Sequence, residues 1–455
     1  MIKKKLLFLN LSVRLQSSTV TIDQRCSFSV MSGTEPGQFE RSNTKSDAAQ
    51  PRPKKPRTTG NFEFRKYAKR HVALRIAYLG WSYHGFAIQK TPHNTIEAHL
   101  FEALEKVKLV EDALNCNYSR CGRTDKGVSA LGQVVSLTVR SNLLEAEGVE
   151  ITEDCTAHER KGDKTVELPY MAMLNSTLPE DIRVLSWAPV GPDFNARFNC
   201  LHRTYKYFFP KGNLDISEMR EAAQKLVGEH DFRNFCRVRN FLSSQFHYMD
   251  ISGGVTNFRR RILSIDVNEL SDGDSPYQQC EITIVGLAFL WHQVRCMVAI
   301  LFLIGHGLEK PEIIDHMLDI EKCPSKPQYG MASELPLVLY DSVYEGVEWR
   351  RCERNYVKTV SHFQQMWTEM TVKSTMLRRM LDSLELSLLP SPPPTSQVSP
   401  LCKQGGGAYK PLLSRPTSAT LEERLADHKR KRARECQLQE QEADTDRQEQ
   451  LQNPL

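Results

Sequence analysis

The chain has 455 residues, 40% of them hydrophobic, which is enough for more than one buried core, and 60 Lys+Arg against 55 Asp+Glu leave a formal charge of +5. A surplus that small permits an anionic partner without requiring one, so the placement of the basic residues matters more than their number. Twelve cysteines are scattered with no C-x-x-C pair, which speaks against a disulfide frame or a zinc ribbon and for reduced thiols in an intracellular protein. No apolar run approaches the ~20 residues that a membrane-spanning helix needs.

Residues 1–66 are rich in Ser, Thr, Pro and Lys and read as a disordered basic leader. The first sixteen are basic and apolar with no acid: either a mitochondrial presequence or a segment dispensed with by starting at Met31. A basic run at 51–57 resembles a nuclear localisation signal. From Val72 the character changes. Val72, Leu74 and Ile76 alternate with Ala73 and Arg75 as a half-buried strand ending at Gly80, and the aromatic segment 81–86 then serves as core, lid or base-stacking loop. Asn94 or Thr95 caps a helix carrying Ile96, Leu100, Leu104 and Val107 at helical spacing.

Residues 118–130, YSRCGRTDKGVSA, pack one aspartate among arginines, a lysine and glycines, just before an alternating strand at 133–140. Arg123 and Lys126 keep Asp125 ionised. Taken alone, such a segment is equally a solvated turn joining two elements. Residues 141–168 are charged and aperiodic, as in a surface insertion, and order returns at 171–174 and 182–189. In the strand at 203–209, Arg203, Tyr205 and Tyr207 share one face, and Lys206 and Phe208 the other. Ser217 caps a helix that ends at Gly228, and strands follow at 262–267 and 280–285.

Residues 289–305 form a helix apolar nearly all round, yet Arg295 lies in its first half. Buried, that arginine demands a carboxylate or phosphate; otherwise it snorkels to solvent. After Tyr344 periodicity is lost, 389–418 is rich in Pro, Ser and Gly, and 421–452 is a charged helix former, either solvated or touching an acidic partner.

The order of elements fits an α+β fold of two similar subdomains, each an antiparallel sheet flanked by helices, at 67–200 (with the insertion at 141–168) and 201–350, with a tail at 351–455 that is disordered or helical. A cleft between the subdomains brings Asp125, Tyr205 and Arg295 together. No Ser-His-Asp pattern, Walker loop, G-x-G-x-x-G or metal-ligand set presents itself. A lone aspartate held by arginine suits nucleophilic attack or proton abstraction at a sugar or base. Aromatic residues interleaved with arginines suit an unstacked nucleotide, and Arg123 can fill the space of a flipped-out base.

Residues 120–130 resemble the TruA-type tRNA pseudouridine synthases in their G-R-T-D-x-G-V core. The segments 193–198, 203–207, 228–235 and 289–300 are similar to that family's F-x-A-R-F, R-x-Y-x-Y, G-x-H-D-F and F-x-x-x-x-V-R patterns, in family order from about Lys69 to about Trp349. Lys126, Ser129 and Cys296 depart from bacterial members, and the wording at 121–126, 205–209 and 291–297 resembles the eukaryotic branch acting on uridines 38 and 39 of the tRNA anticodon stem-loop. The resemblance implies that Asp125 acts on the ribosyl group, that Tyr205 stacks on the target base, that Arg295 pairs with Asp125, and that Arg123 and Arg203 contact substrate. It also implies tRNA as partner, a homodimer, and that neither cofactor nor metal is needed. The basic run at 51–57 leads to an expected nuclear and cytoplasmic location, or a mitochondrial one if the first sixteen residues are a presequence, and the lack of a spanning run to no membrane partner. The alternatives are a sister branch acting at other tRNA uridines and an inactive tRNA-binding protein.

Overall fold

The computed structural model describes residues 62–89, 94–160, 162–237, 257–271, 277–387 and 409–420, with residues 21–22 and isolated positions between 422 and 437. The leader at 1–16, the basic run at 51–57 and most of the charged stretch at 421–452 lie outside the described residues. In chain order the elements are β1 (Ala68–Tyr78), α1 (Ile96–Lys106), β2 (Ser129–Ser141), α2 (Tyr170–Asn175), β3 (Ile182–Pro189) and β4 (Cys200–Pro210). There follow α3 (Ile216–Gln224), β5 (Gly228–Asp231), β6 (Arg259–Glu269), β7 (Gln279–Gly286), α4 (Gln293–Gly305), α5 (Glu312–Leu318), β8 (Leu337–Tyr344) and α6 (Glu353–Ser387).

These strands make one continuous sheet in the order β3-β1-β2-β8-β4-β7-β6-β5. Every pair in that series is antiparallel except β2 and β8, which join in parallel through Ser129↔Val338 and Ala130↔Leu339. The last strand of the fold thus returns to its middle and welds the two halves together. A Cβ on Gly132 would stand 2.6 Å from the Asp341 backbone, so the close approach of β2 and β8 needs glycine there.

Two cores lie under the helices. Val72, Leu74 and Ile76 of β1 meet Leu100 and Leu104 of α1 and Leu174 of α2; Ile282 and Ile284 of β7 meet α4 and α3. The alternation read from β1 is the alternation that fills the first core. α4 is buried along its whole length, as its all-round apolar sequence requires, and each large side chain so buried stabilises by about 1.5–3 kcal/mol. Tyr205 packs against both cores and marks the seam between them.

Helix starts differ from expectation in two places. α1 is capped by Thr95 as read, its side chain accepting from the Ala98 N–H at 3.3 Å. α3, however, is capped by Asp215, whose carboxylate accepts from Ser217 and Glu218 N–H, so Ser217 lies inside the first turn. α4 begins at Gln293, not at Phe289, because His292 adopts φ +61° and breaks the helix. α6 realises the helical alternative for the tail; what differs is the expected loss of periodicity after Tyr344, since 35 residues form one helix. Their period is 3.5, not 3.6: Val360, Phe363, Trp367, Met370, Leu377, Leu381 and Leu384 fall at heptad a and d positions with only Ser374 between. Among the described residues no helix is long and apolar enough to cross a membrane.

Candidate active site

The loop between the short strand Ser119–Arg120 and β2 is built as a turn. Val128 N–H donates to the Asp125 carbonyl at 3.2 Å, and Gly127, third of the four residues, has φ +81°, which a type II turn reserves for glycine. A Cβ there would also meet Glu334 Cγ at 2.7 Å. The surrounding loops clamp this turn. Tyr78 hydroxyl and Thr124 Oγ1 are 2.7 Å apart, Gly127 N–H donates to the Tyr83 carbonyl, and Phe86 N–H donates to the Thr124 carbonyl. Ser129 now has a role, its Oγ accepting from Gly80 N–H at 3.0 Å; nothing in the structure explains Lys126. The segment 81–86 divides accordingly: Tyr83 and Phe86 are core, while Trp81 is exposed.

Asp125 is half-buried. Trp291 Nε1 donates to its Oδ1 at 3.2 Å, and His292 Nε2 stands 3.3 Å from its Oδ2. Both side chains come from the two residues that precede α4, so the carboxylate also lies toward the positive end of that helix. Among the described residues, His292 is the only one of three non-glycine residues with positive φ that touches this carboxylate, and such a conformation costs about 1–3 kcal/mol. Its Nδ1 is buried and has no hydrogen-bond partner.

The expected pairing of Arg295 with Asp125 is not what the structure holds. Arg295 is 9% exposed, so it does not snorkel, and a carboxylate does meet it, but that carboxylate is Glu334. Arg295 Nη2 stands 2.7 Å from Glu334 Oε2 and its Nε donates to the Ala332 carbonyl at 2.8 Å. The segment before β8 passes beside the first turn of α4 and takes the guanidinium. Glu334 in turn packs on Gly127, so Arg295 reaches the Asp125 turn through an intermediary.

Tyr205 is close enough to Asp125 that the aspartate's charge acts on its hydroxyl. Burial first, then the neighbouring Cys121 and Asp125, push that hydroxyl well above the ordinary tyrosine range, so it stays protonated at physiological pH. Its ring packs edge-on against Phe289, with centroids 5.0 Å apart. Arg123 is exposed at the rim, two residues before Asp125. Arg203 departs from its expected place on the substrate. It is 8% exposed, and its guanidinium donates to the carbonyls of Leu287 (2.6 Å), Cys121 (3.0 Å) and Arg197 (2.9 Å). With those bonds it ties the Asp125 loop to the 193–199 loop and the β7–α4 loop.

The 193–199 loop presents Phe198, 78% exposed, with the Arg197 guanidinium 5.6 Å from the ring centre. An exposed aromatic face beside a guanidinium suits a base and a phosphate. Among the described residues no group of three or more His, Cys, Asp or Glu side chains is placed to hold a metal ion.

A family profile described as "tRNA pseudouridine synthase" matches residues 222–345. The "tRNA pseudouridine(38/39) synthase" of Homo sapiens is 47% identical over 392 residues, covering 81% of this chain and 79% of its own length. The protein of the same name from Saccharomyces cerevisiae is 47% identical over 294 residues, covering 64% and 61%. The "tRNA pseudouridine synthase A" of Methanosarcina mazei is 36% identical over 265 residues, covering 57% and 81%. With 47% identity over about four-fifths of its length, the chain belongs to the TruA-type tRNA pseudouridine synthase family.

Proposed function

We propose that the chain is an isomerase that converts uridine to pseudouridine in the tRNA anticodon stem-loop, at positions 38 and 39. Asp125 acts on the ribosyl group while the C1′–N1 bond breaks; the uracil turns, C1′ bonds to C5, C5 gives up its proton, and N1 takes one. Nothing is oxidised or reduced, and no second substrate is consumed. The observation that carries the reading is Asp125 itself, which accepts from Trp291 through one oxygen, has His292 Nε2 3.3 Å from the other, and lies near enough to Tyr205 for its charge to act on that hydroxyl. Tyr205 stacks on the target base with a neutral hydroxyl, which leaves it a hydrogen-bond donor and not an anionic base. Arg123 supports the flipped-out state, and Arg197 with Phe198 receives neighbouring nucleotides. Arg295 acts through Glu334 on the turn.

The partner beyond tRNA is a second copy of the chain. Support comes from α6, whose heptad stripe is largely exposed, Leu377 at 67% and Trp367 at 68%, in the repeat that two like helices bury against each other. A nuclear and cytoplasmic location rests on the basic run at 51–57 and is tested by removing it from a fluorescent fusion.

Incubation with an unmodified tRNA transcript followed by position-resolved pseudouridine mapping tests the function. We expect product at 38 and 39. Product confined to other uridines would assign the chain to a sister branch, and tight binding without product would make it a tRNA-binding protein.

A further inference from the structure

We infer that His292 is a positioning residue for this chemistry: its fold-imposed left-handed backbone aims the imidazole at Asp125 Oδ2 and, together with Trp291 at Oδ1, fixes how the carboxylate faces the ribose. The inference rests on Asp125 being the reacting carboxylate. Three separate observations converge on it. The first is the backbone, since a histidine at φ +61° is held where a glycine would sit without strain. The second is burial: the His292 side chain is 8% exposed, so the ring is enclosed and does not sample solvent. The third is the contact, with Nε2 3.3 Å from Oδ2 while the opposite oxygen accepts from Trp291.

The packing leaves the ring little freedom. Trp291 lies against it with centroids 4.2 Å apart at 36°, the Arg237 guanidinium is 5.6 Å from the Trp291 ring centre, and the Trp291 carbonyl accepts from Arg237 N–H at 3.0 Å. Nothing in this arrangement requires histidine for packing alone. With Nδ1 buried and without a partner, the polar atom that has something to do is Nε2, and what it faces is Asp125. A contact of 3.3 Å shortens readily once substrate closes the cleft. The pair also explains why Arg295 is free to hold Glu334. His292 and Arg295 are three residues apart and serve two different carboxylates on either side of one turn: Asp125 at its start, and Glu334 against Gly127.

Two substitutions separate positioning from structure. His292→Gly removes the imidazole and relieves the backbone; His292→Gln keeps the backbone demand and offers an amide N–H close to where Nε2 stands. If His292 were only structural, activity would follow stability, and the glycine variant would be at least as active as the glutamine variant. The inference expects the reverse order. In single-turnover assays at saturating tRNA, His292→Gly falls by about 10²-fold, the size of effect seen when one fixed donor is removed from a reacting site. Its tRNA affinity changes by less than about 2-fold, and its melting temperature equals or exceeds that of His292→Gln. His292→Gln recovers at least about tenfold of the lost rate. A glycine variant with wild-type turnover, or a glutamine variant no faster than glycine, would overturn the inference. Asp125→Asn in the same assay keeps the two readings apart: if it retains turnover, the assignment of Asp125 fails, whereas an inactive Asp125→Asn beside a fully active His292→Gly defeats only the role of His292.

Discussion

At the scale of single residues, the cleft divides its charged groups between chemistry and support. Asp125 accepts from the Trp291 indole and has the His292 imidazole 3.3 Å away; Arg295 and Arg203, both expected to be working groups, are bound to Glu334 and to three carbonyls. That division predicts how Arg295 fails. Arg295→Met leaves Glu334 without its cation, but Glu334 is 36% exposed in its side chain and can be hydrated, so the stability loss stays near the low end of about 1–3 kcal/mol for a broken charged hydrogen bond. The turn at Gly127 then loses its brace. We expect turnover to drop at least about tenfold with the fold intact, and Glu334→Gln to reproduce part of that drop; thermal melting beside single-turnover rates checks both. A full-rate Arg295→Met would remove the brace from the mechanism. The sequence made the need for a buried carboxylate legible, because an arginine inside an all-apolar helix has few other resting states. Which carboxylate answers was not legible: Glu334 lies 39 residues further on, and only the packing of the segment before β8 on α4 brings it there.

At the scale of elements, periodicity decided what could be read. β1 and α1 stood out because their apolar positions repeat at two and at three to four residues over a whole core face, and Thr95 supplied a cap of the expected chemistry. α4 was legible as buried, yet its start was not, because φ +61° at His292 is imposed by the fold and leaves no mark in composition. α6 carried a readable signal of a different kind, a sustained heptad in a segment rich in Lys, Arg, Thr and Ser. Its stripe gives the element its prediction. Leu377→Glu with Leu381→Glu places like charges in a seam between copies and should lower the solution mass toward that of one chain, measured by light scattering or sedimentation, with the helical signal largely preserved. An unchanged mass in the double variant, or a wild type of one-chain mass, would refute pairing through α6.

At the scale of the whole molecule, one continuous sheet does what neither half could do alone. The parallel weld of β2 to β8 sets the Asp125 turn, at the head of β2, one strand away from β4 and its Tyr205, while α4 packs below and delivers Trp291 and His292 from the second half. The carboxylate and the groups that hold it therefore come from opposite halves of the chain, and the site needs both halves in one sheet. The net charge of +5 is slight, so what matters is where single basic groups stand, such as the exposed Arg123 two residues before Asp125 and Arg197 beside Phe198. The most direct test is a single-turnover incubation of wild type and Asp125→Asn with one tRNA transcript carrying uridines at 38 and 39, with pseudouridine mapped by position. We predict product at those uridines for wild type and a loss of at least about 10³-fold for Asp125→Asn with tRNA binding retained. Pseudouridine formed by Asp125→Asn at the wild-type rate would contradict the account.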